Sequence, residues 1–117
     1  MALSPSDFGG AAIIEGYGPG FFRVAGQVIQ GAVLVEGDQG QPWDGLSDEA
    51  ALLALAGRVD VLFLGTGAQP AYPPRGLFDR LAEAGIRAEA MPSPNAARTY
   101  NVTRSEGRRV ACALLPL

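Results

Sequence analysis

From Ala12 to Glu36 short apolar stretches alternate with glycine-containing turns, in the segment AAIIEGYGPGFFRVAGQVIQGAVLVEGDQGQPW. Strand-forming residues predict strands over Ala12–Glu15, Phe21–Ala25, Gln27–Ile29 and Ala32–Glu36. Turns are expected at GYGPG, around Gly26, at Gly31 and at GDQGQP. Links this short cannot carry a crossover, so the strands should pair as antiparallel hairpins.

The pattern changes at Leu46. Ser47 suits an N-cap, Asp48 and Glu49 suit the first turn, and AALLALA favours helix up to Gly57, which predicts a first helix over 47–57. VDVLFLG is apolar on both faces, as in a strand covered on both sides. Leu77, Phe78 and Leu81 form a stripe between Pro74 and Gly85, a second helix. IRAEAM is the next strand, Ser93 and Pro94 open a third helix as N-cap and first residue, and GRRVACALL is the last strand. Strand, helix, strand, helix, strand implies parallel pairing through right-handed crossovers. The fold class is therefore α/β: one domain over residues 1–117, a mixed sheet with helices plus an N-terminal antiparallel lobe. Residues 1–10 read as a flexible arm ahead of it.

The composition, 48% apolar and 18% charged, is that of a globular chain. Runs such as Val59 to Leu64 fall far short of the roughly 20 residues of a membrane span, and MALSPSDFGG lacks a basic region followed by an apolar stretch. A cytoplasmic location without membrane insertion is expected. Cys112 is the single cysteine, so no intramolecular disulfide forms, which suits a reducing compartment. Histidine is absent, which excludes Ser-His and Cys-His nucleophiles and a Cys/His zinc site. No catalytic residue, metal site or cofactor is assigned. The net charge of −3 argues against nucleic acid as a partner. Charge is skewed along the chain: residues 1–60 hold eight acids and two arginines, residues 61–117 four acids and seven arginines.

Ligands of open α/β sheets bind at the carboxyl ends of strands. Two loops should share that edge, Gly65–Pro74 and Pro92–Asn95. GTG at Gly65–Gly67 is no phosphate loop, because Pro70 stands where a dinucleotide fingerprint needs its third glycine and the chain has no lysine. One reading makes Gly65, Thr66, Gly67 and Gln69 one wall, and Arg98, Thr99 and Asn101 the other, of a pocket for a small anion. The other has Arg98 and Asn101 bonding the carbonyls of Gly65–Gly67, fastening the helix to the sheet. Tyr100 should pack, and Cys112 should be a buried inert thiol. Trp43 is a core anchor or part of a partner surface. Asp44, Asp48 and Glu49 suit a helix start better than a metal. Phe21 and Phe22 point to opposite faces, so one of them is a candidate interface residue. A homodimer through an edge of the N-terminal lobe is compatible with the pattern.

IEGYGPGFFRV, WDGL, VLFLGTG followed by a glutamine, GI before a short strand, and NAARTYNVTRSEGRRVACALL together resemble the Mth-type small-domain family. Its members include the mammalian adipogenesis-associated Mth-domain-containing protein and a mitochondrial assembly factor for respiratory complex I. The likeness spans roughly residues 11–116, most specifically in RTYN…EGRRV. Ala97 stands where relatives often carry cysteine. The resemblance implies a three-layer α/β fold around a mixed sheet with one antiparallel strand, assigned to the last, and a third helix lying across the sheet. It implies no established enzymatic activity for most bacterial members. It suggests a non-enzymatic interaction or assembly role, with respiratory complex I or membrane-biogenesis proteins as partners. The alternative is a protein or enzyme that takes a small anionic metabolite.

Overall fold

The computed structural model describes residues 12–117, and the arm expected over residues 1–10 lies outside them. The first three strands are β1 (Ile14–Gly18), β2 (Phe21–Val24) and β3 (Gln27–Gln30), an antiparallel sheet in that order. β1 begins two residues later than predicted, since Ile14 and not Ala12 is the first residue paired with β2, opposite Val24. Phe22 is fully buried, whereas Phe21 is half-buried and lies over Gly18, its cross-strand partner. A Cβ at Gly18 would run into the Phe21 ring, so the glycine is the aromatic's seat.

β2 and β3 join through Ala25 and Gly26, both at positive φ (49° and 83°), as a two-residue turn with the twist of the strands requires. Ala25 holds the left-handed conformation at a cost of roughly 1–2 kcal/mol. Ala25→Asn should therefore stabilise the fold by about 1 kcal/mol, read as a raised denaturation midpoint at unchanged m-value. A midpoint that falls would show that the methyl group makes a compensating contact.

The second sheet holds β4 (Val33–Glu36), β5 (Gln39–Pro42), β6 (Val61–Gly65), β7 (Arg87–Met91) and β8 (Val110–Leu114), in the order β5-β4-β8-β6-β7. GDQGQP is not all turn. Only Gly37 and Asp38 turn, and Gln39–Pro42 pairs antiparallel with β4. Its polar, exposed sequence carries no strand periodicity, and as an edge strand it tolerates Pro42. The sheet has the one antiparallel strand that the resemblance implies, but it is β4, which opposes both β5 and β8; β8, to which it was assigned, runs parallel to β6, as the crossover reading requires. The sheet changes direction between β8 and β4.

The first helix is shorter than 47–57. Gly45–Ser47 forms a 3-10 turn, and α1 covers Glu49–Leu53 with Asp48, not Ser47, capping it by accepting from the Ala51 N–H at 3.3 Å. Its tail tightens into i→i+3 bonds, Leu55 to Leu52 and Ala56 to Leu53, before Gly57. α2 (Leu77–Glu83) and α3 (Ser93–Ser105) lie where the pattern placed them.

Three layers result. Leu34, Leu62, Leu64, Ala111 and Ala113 face α1 and α2 with Trp43, Leu52, Leu77 and Leu81. Val33, Val35, Phe63, Cys112 and Leu114 face α3 and the small sheet, with Ala96, Ala97 and Tyr100 of α3 against Ile14 and Phe22. Alternation along β8 puts large and small residues on opposite faces, each buried. Trp43 is a core anchor, with its indole N–H donating to the Asp48 carbonyl at 3.1 Å. Glu49 pairs with Arg80, whose guanidinium lowers the carboxyl pKa. Arg80 is exposed and Glu49 only half-buried, so the pair adds little stability.

Candidate functional site

The GTG turn follows β6 because its backbone must pass α3 and the chain end at close range. A Cβ on Gly65 would lie 2.7 Å from the Leu114 side chain, 2.7 Å from Ser93 Oγ and 2.8 Å from Ser93 Cα. The polar groups of the turn are used within the fold. Thr66 N–H donates to the Met91 carbonyl at 2.8 Å, Leu115 N–H to the Gly65 carbonyl at 2.9 Å, and Ser93 N–H to the Gly67 carbonyl at 2.8 Å.

Ser93 is the centre of this junction, and its role differs from the one predicted. Pro92 is the N-cap of α3 and Ser93 is its first residue, so the hydroxyl does not cap the helix. Fully buried, Ser93 Oγ accepts from Gly67 N–H at 2.9 Å and donates to the Leu115 carbonyl at 2.7 Å. One hydroxyl thus ties the GTG turn, α3 and the C-terminal segment. A serine beside proline reads as a cap in sequence, and nothing local signals that its partners lie 26 and 22 residues away.

The seven predicted ligand residues fall into separate environments. Gly65 and Gly67 meet Ser93, whereas Thr66 Oγ1 faces the Met91 carbonyl at 3.3 Å. Thr66 Oγ1 also donates to the Gln69 carbonyl at 2.8 Å, fixing the start of the following loop. Thr99 Oγ1 points at Met91 Sδ, 3.7 Å away. Asn101 does not bond the GTG carbonyls: its side chain accepts from Ile14 N–H and donates to the Ile14 carbonyl, both at 3.0 Å, joining α3 to the small sheet as a strand partner would. Arg98 is exposed on α3. Surface recesses beside Leu34 and Gln41, beside Val24 and Gln27, beside Arg58 and Arg108, beside Phe78 and Ile86, and beside Tyr17 and Leu117 include none of the seven.

Tyr100, between these polar residues, is fully buried and its hydroxyl donates to the Gly37 carbonyl at 2.6 Å. Burial raises the phenol pKa well above the ordinary 10.0, partly offset by Arg104. Burial likewise raises the Cys112 thiol, so neither group offers a base or nucleophile near neutral pH. Among the described residues no three His, Cys, Asp or Glu side chains gather as a metal site. The two bonds of the Ser93 hydroxyl hold three segments in register.

Residues 14–115 match the family described as protein of unknown function (DUF498/DUF598). An uncharacterised protein of Rhodobacter capsulatus is 52% identical over the whole chain and 94% of its own length. A zebrafish (Danio rerio) protein named NADH dehydrogenase (ubiquinone) 1 alpha subcomplex assembly factor 3 is 28% identical over 99% of this chain and 71% of its own. A crystal structure described as an outer membrane protein from Bartonella henselae superposes with a TM-score of 0.80 at 30% identity, covering 92% of this chain and 96% of that one. A solution structure from Bordetella pertussis, described as a Mth938-like domain, gives 0.75 at 25% identity, covering 99% and 92%. With its three-layer mixed sheet and these likenesses, the chain belongs to the DUF498/DUF598 family and has the Mth938-like fold.

Proposed function

We propose that the chain works by binding other proteins, as an assembly factor for a membrane-bound respiratory complex of the NADH dehydrogenase type, and not by catalysis. The observation that carries this reading is the breadth of likeness to the zebrafish assembly factor: 99% of this chain takes part, so the shared portion is nearly this entire fold. The polar inventory supports it. Histidine is absent, and the hydroxyls and amide of Ser93, Tyr100 and Asn101 are spent on internal bonds. Among the described residues no helix is long and apolar enough to cross a membrane, so contact with such a complex would be made through this protein's surface.

The test is deletion of the gene in its native cell, with native-gel quantification of assembled NADH dehydrogenase, and cross-linking of a tagged chain at endogenous level. The expected outcome is less assembled complex and reproducible cross-links to its subunits or to other assembly factors. Wild-type amounts of assembled complex together with no such cross-link would overturn the reading.

A further inference from the structure

Between the GTG turn and α2 runs the segment Gln69-Pro70-Ala71-Tyr72-Pro73-Pro74-Arg75. It is fastened at both ends. Thr66 Oγ1 holds the Gln69 carbonyl, and Leu77 N–H donates to the Pro74 carbonyl at 3.2 Å. Gly76, at φ 81° and ψ −11°, sits at the third position of that closing turn, the geometry of a type II turn. Such a turn keeps its second residue, Arg75, in the extended region.

Covalent geometry presets most of what lies between. Each proline fixes its own φ near the polyproline value, and Gln69, Tyr72 and Pro73 each precede a proline, which biases them to the same region. Only Ala71 is left unconstrained. The segment has no helix or strand, and among the described residues Ala71, Tyr72 and Arg75 make no hydrogen bond. A solvated backbone without internal hydrogen bonds is what polyproline II requires. Tyr72 is 98% exposed, and Pro70, Pro74 and Arg75 are exposed too.

Polyproline II has three residues per turn, so residues three apart share a ridge. Pro70 and Pro73 form one ridge, Tyr72 and Arg75 a second, Ala71 and Pro74 the third. Two adjacent ridges thus present two prolines, an aromatic ring and a terminal cation, in the spacing P-x-x-P-x-R. Proline-rich segments of this kind dock on aromatic-lined grooves, at low ordering cost because they are preformed. An arginine at one end fits a carboxylate at the end of such a groove.

We propose that Pro70–Arg75 is a docking segment for a partner protein whose groove is lined by aromatic rings and ends in carboxylates. This deepens the interaction reading by naming a surface and the chemistry of its partner. The two remain separable, because deletion and cross-linking can succeed even if this segment binds nothing.

The experiment titrates the full isotope-labelled chain with a purified SH3-type domain that accepts P-x-x-P-x-R ligands, followed by amide shifts. Saturable shifts confined to residues 66–77 are expected. Arg75→Glu, and separately Pro70→Ala with Pro73→Ala, should weaken binding by at least about tenfold. Ala71→Ser, on the ridge facing away, should leave it unchanged. The spectrum of each free variant checks that the fold survives. No shift, shifts elsewhere, or binding indifferent to Arg75→Glu would overturn the proposal. So would a concentration-dependent dimer that the same variants dissolve, since the segment would then face a second copy.

Discussion

Ser93→Ala should cost about 3 kcal/mol, although it removes a single oxygen. That oxygen satisfies the Gly67 N–H and the Leu115 carbonyl, and each buried group left without a partner costs roughly 1–3 kcal/mol. Against a total stability on the order of 5–15 kcal/mol this is a large fraction. The melting temperature should fall by about 10 °C. Gly65→Ala should cost a similar amount, about 2–3 kcal/mol, for the opposite reason. It adds an atom where Ser93 Oγ and Ser93 Cα already stand at 2.7 and 2.8 Å. The two effects should not add. Removing Ser93 Oγ clears part of the clash, so the double variant is expected about 1 kcal/mol more stable than the sum predicts. Strict additivity in chemical denaturation would show that the two residues do not share one junction.

Tyr100 should be the most costly side chain of RTYN to remove. It is the largest of the fully buried side chains, so Tyr100→Ala should cost about 4 kcal/mol or more and leave the chain largely unfolded at moderate temperature. Tyr100→Phe keeps the ring and loses only the bond to Gly37, about 1 kcal/mol. The two variants also differ from the native chain in alkali. The folded phenol holds its proton above the ordinary 10.0, so above that pH the unfolded chain releases a proton that the native one keeps. The contribution is complete below pH 10 and is lost as pH rises toward the folded value. Tyr100→Phe should therefore show a shallower loss of stability between neutral pH and alkali. An unchanged alkaline slope would mean that the phenol titrates normally.

The element order was legible because each element carries a local signal. VLFLG and VACAL are apolar on both faces, and the glycines closing α1 and α2, Gly57 and Gly85, take the positive φ their positions imply. β5 was hidden because QGQP is polar and takes its strand conformation from β4 alone. The candidate site was legible only as a neighbourhood. GTG and the start of α3 do meet, at the carboxyl end of β6, as α/β topology requires. Asn101 has the chemistry to grip that turn, but helix phase sends it to Ile14 on the small sheet, and the short hydroxyl of Ser93 reaches where the backbones are closest.

Periodicity and composition are enough for the α/β class and for the absence of histidine chemistry, whereas crossover length and the family likeness point opposite ways for β8, and packing sets it parallel to β6. The prolines also bias Pro70, Tyr72, Pro73 and Pro74 toward polyproline geometry, because proline acts through covalent geometry. What the polar residues of RTYN and SPN hold together depends on the packing of the three layers. A hydrogen bond is specific in distance and angle, and its partner across 22, 26 or 87 residues is chosen by packing of the layers, not by neighbours in the chain.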